Sequence, residues 1–213
     1  KWHKLINKMY DEVFISNPSF YNLWDSWQLQ FIDTTYDKPY GRVVNQHFRE
    51  DGVMKTTQGL RSMEGDPELY AKWRAEGSDM IADLYADVFV QHKKERKLMT
   101  TLISPIYKSN NYIGLVGVDL TLTRFQEIVN SIKIKNLNGS YAFLISHDKK
   151  YAGHPDNELL NKEPAKNPTL KEGFDLFQKM EQGKHFSIIH KNKEKKRYVS
   201  YAPIKIGETK TNW

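Results

Sequence analysis

Asp119 is the ionisable residue whose surroundings in the sequence are most informative. It lies at the end of an apolar run at residues 112–120 (YIGLVGVDL) that has the composition of a β-strand. Because side chains alternate along a strand, Leu115, Gly117 and Asp119 share one face, and both faces are largely apolar. A carboxylate buried there must be hydrogen-bonded, paired or protonated. A ligand amine is one possible partner, with Gly117 leaving room for it; alternatively, Asp119 caps the following helix or bonds a backbone turn.

Tyr85 and Asp87 form a second candidate pair. They are two residues apart, so on a strand their side chains point to the same side. An aromatic ring beside a carboxylate suits a cationic or polar nitrogen ligand, through the ring face and charge-assisted hydrogen bonds. The alternative interpretation is a surface Asp beside a Tyr of the core.

Four further aromatic residues are candidates for the same site. Trp24 and Trp27 are three apart, so on one strand they point to opposite faces and at most one of them lines a cavity. Tyr70 and Trp73 are three apart on a helical segment and lie on the same side of it. Such aromatic stripes usually belong to a core, and this is the prediction for Trp73.

The sequence lacks the motifs of enzymes and metal sites. There are no cysteines, which excludes disulfides, thiolate metal sites and Cys nucleophiles. The seven histidines form no H-E-x-x-H pair, and no nucleophile elbow, phosphate loop or dinucleotide fingerprint occurs. We therefore expect neither catalysis nor a cofactor or metal.

Composition sets the class of protein. The 213 residues are 39% hydrophobic and 27% charged, which suits a soluble globular protein. No apolar run of about 18 residues occurs, so no membrane span is expected, and the chain is interpreted as a piece of a longer protein. The net charge is +6, and the densest basic run, residues 191–197, is interpreted as a solvated hairpin tip rather than a nucleic-acid or lipid surface.

Hydrophobic periodicity predicts helices and strands in alternating groups. Helices are predicted at 1–15, with an apolar stripe of Trp2, Leu5, Ile6, Met9 and Val13, at 66–76 with Asp66 as N-cap and Gly77 as its end, at 121–134 and near 170–180. Strands are predicted at 20–31, 42–48, 80–90, 98–108, 112–120, 141–146, 150–154, 185–190 and 197–203.

These elements predict an α+β fold with three parts. Residues 1–16 form an N-terminal helix, 17–135 a first module and 136–213 a smaller second module that repeats the pattern. The boundary is placed at the polar break of Asn136 to Gly139.

The chain resembles the double Cache ectodomain of bacterial chemoreceptors and sensor kinases over nearly its whole length. The resemblance is carried by short segments in a fixed order and spacing: Asn17-Pro18-x-Phe20, Leu23-Trp24-Asp25-Ser26-Trp27, Tyr70, Asp83-Leu84-Tyr85, Ile103-Ser104-Pro105-Ile106-Tyr107, Gly114-x-x-Gly117-Val118-Asp119-Leu120, Tyr141 to Ser146 and Gly153-His154-Pro155.

The resemblance implies that residues 1–16 belong to a long N-terminal signalling helix carrying two PAS-like modules, the second truncated at its C-terminal end. The membrane-distal module would bind a small polar, amine-containing molecule, and the proximal module would relay the signal. It also implies flanking transmembrane helices outside this chain, a periplasmic location at the inner membrane and a homodimeric receptor. The Trp-x-x-Trp pattern favours a chemotaxis receptor; alternatives are a histidine kinase, cyclase or phosphatase ectodomain, or a partner-binding ectodomain with a degenerate pocket.

The resemblance also assigns roles to single residues. The family counterpart of Tyr70 contacts ligand, and His47 and Phe48 fall where relatives have aromatic residues near the pocket mouth. Amino-acid-binding relatives use an Arg-x-Trp-Tyr motif for the ligand carboxylate. Here the corresponding residues 67–70 are Pro-Glu-Leu-Tyr, so the Arg and Trp are absent.

Overall fold

The computed structural model describes residues 2–50, 52–86, 97–135, 137–164, 176–191 and 196–213. The chain divides into two compact units. The first contains Lys1–Ala82 and Met99–Thr121, and the second contains Asp83–Leu98 and Leu122–Trp213.

The secondary structure is α+β, as the periodicity predicts. The helices are α1 (Trp2–Ser16), α2 (Leu29–Ile32), α3 (Glu68–Glu76), α4 (Leu122–Ser131) and α5 (Leu176–Glu181), with a 3-10 turn at Asn157–Leu159. The strands are β1 (Asn22–Gln28), β2 (Arg42–Glu50), β3 (Val53–Arg61), β4 (Met80–Ile81), β5 (Tyr85–Ala86), β6 (Leu98–Lys108), β7 (Asn111–Thr121), β8 (Leu144–Ile145), β9 (Tyr151–Gly153), β10 (Phe186–Lys191) and β11 (Lys196–Tyr201).

One large antiparallel sheet organises the first unit. Its strands follow the order β3-β2-β1-β7-β6-β4. Strand β1 lies at the centre, paired with β2 on one side and β7 on the other. This position explains why six of the seven residues of β1 are buried, including the polar Asn22, Asp25 and Gln28.

Strands β6 and β7 form the hairpin that the sequence predicts. Ser109 and Asn110 both have positive φ angles, 49° and 64°. Two left-handed residues in a two-residue loop match the twist of the flanking strands. The register that follows places Thr101 opposite Asp119 and Ile103 opposite Gly117.

One predicted strand near β1 needs correction, and one strand was missed. The strand predicted at 20–31 ends at Gln28, and the apolar residues that follow form the short helix α2. Strand β3 was not predicted, because it is an edge strand whose side chains are mostly exposed and show no apolar alternation.

Helix α3 begins later than predicted. Pro67 is its N-cap residue and makes no side-chain hydrogen bond, so the prediction of Asp66 as the cap is wrong. Asp66 instead forms an ion pair of 3.2 Å with Arg74 on the last turn of α3. Gly77 ends the helix as predicted, with a left-handed φ of 65°.

Helix α1 spans 15 residues, so the predicted long N-terminal helix is not confirmed. Phe14 is fully buried, whereas Leu5, Met9 and Val13 of the predicted apolar stripe are 43–58% exposed. Arg49 of β2 lies over the Phe14 ring and donates hydrogen bonds to the carbonyls of Phe14 (2.7 Å) and Phe20 (3.0 Å). This pairing anchors the C-terminal end of α1.

The second unit is built on two small antiparallel hairpins, β8–β9 and β10–β11. Ile145, Tyr151, Leu176 and Tyr201 form its buried core. Helix α4 packs against β9, where the Gln126 side-chain amide bonds the backbone N–H and C=O of His154. Across the described residues, the helices are all too short or too polar to cross a membrane.

Candidate ligand-binding site

Asp119 is buried and its carboxylate accepts hydrogen bonds from three neutral side chains. Asn22 Nδ2 lies 2.9 Å from Oδ2, while Thr101 Oγ1 and Trp24 Nε1 lie 2.7 Å and 3.2 Å from Oδ1. Asn22 and Thr101 are the residues that lie opposite Asp119 in the strands on either side. The sheet register therefore assembles this site, and Asp119 serves as an acceptor between strands.

The space beside Gly117 is taken by the indole of Trp24. A Cβ atom at position 117 would overlap that ring. The indole also stacks on Trp73 of α3, with ring centroids 6.1 Å apart and planes 21° apart. The space that Gly117 leaves is therefore occupied by a side chain of the protein itself.

Tyr70 belongs to α3 and contacts the same face of the sheet as Asp119 and Trp24. Gln28 Nε2 donates to its hydroxyl across 3.0 Å, and the Tyr112 hydroxyl lies 2.9 Å from it. Burial raises the pKa of Tyr112, and the nearby Tyr70 adds to that effect. We call the side of the sheet that carries Asp119, Trp24 and Tyr70 the α3 face.

Trp27 and His47 lie on the opposite side, which we call the α1 face. His47 is fully buried; its Nδ1 lies 3.2 Å from the Asp11 carboxylate and 3.2 Å from Thr56 Oγ1. The Tyr10 ring meets the imidazole edge-on, with centroids 5.5 Å apart. The structure therefore separates these two candidates from Asp119, Trp24 and Tyr70.

A second buried acid, Asp25, lies on the α1 face. Asn45 Nδ2 donates to its Oδ1 across 2.5 Å, and Oδ2 has no hydrogen-bond partner among the described residues. Burial raises the pKa of Asp25, whereas the Asn45 hydrogen bond and the proximity of Trp27 and Tyr10 act in the opposite direction. Sequence reasoning missed this acid, although the alternation of β1 places it beside Trp27.

The other candidates are not gathered into one site. Phe48 is half-buried on β2, opposite Asn22, and so lies on the α3 face. Tyr85 is half-buried in β5 and belongs to the second unit. Asp87 lies outside the described residues.

The second unit contains a cavity of about 790 Å³. Tyr201 lines it, and the Tyr201 hydroxyl is buried without a partner in the described part of the chain. Burial raises the pKa of that hydroxyl. The other aromatic residues that line the cavity are Tyr141, Phe143, Phe186, Tyr198 and Trp213.

Comparison with known proteins gives a match over most of the chain. A family model described as Cache domain matches residues 7–213. The methyl-accepting chemotaxis protein PscA of Pseudomonas syringae pv. tomato is 30% identical over 170 residues, which are 76% of this chain and 24% of PscA. The chain therefore spans about a quarter of that relative.

Two solved structures are similar in fold. The periplasmic sensory domain of the Campylobacter jejuni chemoreceptor Tlp1 has a TM-score of 0.64 at 14% identity, over 96% of this chain and 74% of that chain. The ligand-binding domain of the Pseudomonas fluorescens chemoreceptor CtaA, in complex with L-isoleucine, has a TM-score of 0.56 at 17% identity, over 92% and 67%.

Proposed function

The chain belongs to the Cache domain family, and on that premise we propose that it is the extracytoplasmic ligand-binding domain of a transmembrane receptor of the methyl-accepting chemotaxis class. The full receptor would be a homodimer in the inner membrane, with this segment in the periplasm. The first unit would be the membrane-distal, ligand-binding PAS-like module and the second the proximal one. A longer N-terminal helix that continues α1 would carry the signal toward the membrane.

The observation that carries this proposal is the buried carboxylate of Asp119 among aromatic rings on the α3 face. The proposed ligand is a small polar molecule with an amine group. An ammonium group would gain a charge-assisted hydrogen bond by replacing the Trp24 indole at Oδ1, because that bond of 3.2 Å is the longest of the three. Displacing the indole would also separate it from Trp73 and so alter the packing of α3 on the sheet.

Titration calorimetry with amino acids and primary amines tests the proposal. Replacing Asp119 with Asn removes the charge, and we expect affinity to fall roughly tenfold to a hundredfold, because a hydrogen bond to a charged group contributes about 1.5–3 kcal/mol. Asp25→Asn is the matched control, since Asp25 is an equally buried acid of β1 on the α1 face. Equal losses in both variants, or binding unchanged by Asp119→Asn, would contradict the proposal.

A second candidate function is a partner-binding ectodomain with a degenerate pocket. The packing of Trp24 against Gly117 and Trp73 favours it, because these side chains occupy the space beside Asp119. Tryptophan fluorescence separates the two candidates. A ligand that displaces Trp24 changes the emission of the native chain but not that of Trp24→Phe, whereas a degenerate pocket gives no response to any compound. A response that survives Trp24→Phe but is lost when Val199→Trp fills the cavity would place the ligand in the second unit.

A further inference from the structure

His147 of the second unit has a hydrogen-bond partner on each ring nitrogen. Trp213 Nε1 donates to its Nδ1 across 3.1 Å, and its Nε2 lies 2.9 Å from Asp83 Oδ1. All three residues belong to the second unit. An indole N–H can only donate a hydrogen bond, so Nδ1 accepts one and carries no proton. The proton of the imidazole is therefore on Nε2, where it is donated to Asp83, and His147 is neutral in this arrangement.

The turn that carries His147 is fixed by hydrogen bonds of its own. It joins β8 to β9, and the backbone N–H of Lys149 donates to the Ser146 carbonyl across 2.9 Å. The Asp148 carboxylate accepts hydrogen bonds from Ser146 Oγ and from the backbone N–H of Leu84, the latter across 3.4 Å. The turn therefore holds the imidazole in place even when the contacts of the ring change.

The other charges on the segments around His147 are paired with each other. Its own turn and the segment that leads to Trp213 carry most of them. These pairs are Asp148 with Lys150 (2.9 Å), Lys149 with Glu181 of α5 (2.8 Å) and Lys205 with Glu208 (4.0 Å). Asp83 is the carboxylate that contacts the imidazole directly.

The two partners of His147 respond differently to protonation. A protonated imidazole has an N–H group on both nitrogens. The contact with Asp83 then becomes a charge-assisted hydrogen bond, whereas the new Nδ1–H points at the Trp213 Nε1–H, and two donors cannot share a hydrogen bond. Protonation therefore strengthens one contact and removes the other. The His147 side chain is 17% exposed, so a proton from solvent can reach it.

Trp213 connects His147 to helix α4. Its indole is 5% exposed and packs on the Phe125 ring of α4, with centroids 5.4 Å apart. Two backbone hydrogen bonds with Ile204, of 2.7 and 3.0 Å, hold the main chain of Trp213 independently of the indole. A buried N–H that loses its acceptor is destabilising, so the indole has to reorient when His147 is protonated. Its contact with Phe125 changes at the same time.

We propose that His147 is a proton-binding site of the second unit, at which protonation releases the Trp213 indole and alters its packing on α4. Histidine is the side chain whose charge ordinarily changes between pH 5 and pH 8. As a second input to the receptor, this site rests on the proposed function. The exchange of partners at His147 depends only on contacts inside the second unit.

A pH titration of the whole chain followed by NMR tests this site. The Trp213 indole N–H signal is assigned by its loss in Trp213→Phe, and the His147 ring signals by their loss in His147→Asn. We expect the Trp213 signal to move between pH 8 and pH 5 with the same midpoint as the His147 ring, while the other four indole signals do not follow it. A constant Trp213 signal, or a His147 ring that does not titrate in this range, overturns the proposal.

Variants separate the roles of the two partners. Trp213→Phe removes the donor that favours the neutral ring, so the His147 midpoint should rise by roughly 0.5–1 pH unit. Asp83→Asn removes the carboxylate that favours the charged ring, so the midpoint should fall. Shifts of the same sign in both variants overturn the proposed exchange of partners.

Two further variants show which histidine is responsible. His147→Asn should abolish the pH response of the Trp213 signal. His185→Gln, at an exposed histidine of the same unit, should leave that response unchanged. A response that persists in His147→Asn overturns the assignment. If His147→Asn does not fold, loss of the response in His185→Gln overturns it, and a response that matches the His147 ring of the native chain supports it.

Asp119→Asn keeps the two proposals separate. The pH response of Trp213 should survive this substitution, because Asp119 belongs to the first unit. Loss of the response in Asp119→Asn would contradict a site confined to the second unit. Failure of amine binding in the same variant bears only on the function proposed for Asp119.

Discussion

Trp24 and Asp119 are joined by a hydrogen bond of 3.2 Å, from the indole Nε1 to the carboxylate Oδ1, across neighbouring strands of one sheet. The indole that makes this bond also covers the backbone of Gly117, two residues before the acid. The position of one ring therefore determines both what the carboxylate contacts and how much space lies beside it.

Replacing Gly117 with Ala tests this arrangement. The new Cβ atom would overlap the indole, so Trp24 must move away from Asp119, at a cost of about 1–3 kcal/mol for an overpacked core. Urea unfolding measures the loss, and tryptophan fluorescence reports the displaced ring. Gly59→Ala is the control, because its Cβ atom would meet the flexible side chain of the exposed Arg61 at 3.0 Å. Similar losses at the two positions would contradict the proposed role of Gly117.

Asp25 should give the stability of the chain a distinctive pH dependence. Folding raises its pKa above the ordinary value of 3.8, so the folded state holds the proton more tightly than the unfolded chain. The stability that this group contributes is fully present below pH 3.8 and is lost as the pH rises through the raised pKa. Asp25→Asn should abolish this loss, so the variant should gain free energy of unfolding relative to the native chain as the pH increases.

Asp33 provides the matched control with the opposite sign. Hydrogen bonds from Thr35 lower the pKa of its exposed carboxyl. Its stabilising effect is therefore present above the ordinary pKa and is lost as the pH falls through the lowered one. In urea unfolding across a pH series, Asp33→Asn should lose stability relative to the native chain as the pH rises. A parallel trend for the two variants would show that burial of Asp25 is not the cause.

Phe14→Ala should release α1 from the sheet. Phe14 is fully buried under the Arg49 guanidinium, and removing a buried Phe costs about 3–5 kcal/mol. Ile15→Ala, at the next residue of the same helix, should cost less than about 1 kcal/mol because that side chain is 58% exposed. Hydrogen exchange of the α1 amides should rise in the first variant and not in the second. Equal exchange in both would mean that another residue anchors α1.

Gln126 is a structural residue of the second unit that can be tested in the same way. Its side-chain amide donates to the His154 carbonyl (2.5 Å) and to Asn157 Oδ1 (2.7 Å), so a carboxylate at this position would face two acceptors. Gln126→Glu should therefore cost at least about 1–3 kcal/mol near neutral pH. Asn130→Asp, at an exposed position of the same helix, should be close to neutral. A negligible effect at both positions in thermal unfolding would contradict this role of Gln126.

Strong local patterns in the sequence are sufficient to predict the sheet centre. The two apolar runs at Leu98–Lys108 and Asn111–Thr121 and the polar pair between them predict the β6–β7 hairpin. Strand β3 escapes prediction because an edge strand needs no apolar face, and its pairing with β2 is a property of the fold. The exposure of Leu5 and Met9 could not be predicted either, because periodicity shows that an apolar stripe exists and not what the stripe contacts.

The candidate site is predicted only in part for a similar reason. Apolar residues on both faces of the strand indicate that Asp119 is covered, but its partners Asn22 and Thr101 come from two other strands and follow from register. Position 67 is Pro, whereas the family motif has there the Arg that binds the ligand carboxylate. Arg42 nevertheless reaches the ring of Tyr70 from β2, a contact that no local pattern contains.

The hydrogen bonds from Arg49 to the carbonyls of Phe14 and Phe20 fix the C-terminal end of α1 on the sheet. A helix of 15 residues is about 22 Å long at 1.5 Å per residue, so its first turn lies far from this fixed end. A tilt that leaves both carbonyl bonds intact displaces residues near Trp2 most and residues near Ser16 least. Any movement of α1 on the sheet is therefore expected to be smallest where Arg49 holds its C-terminal end.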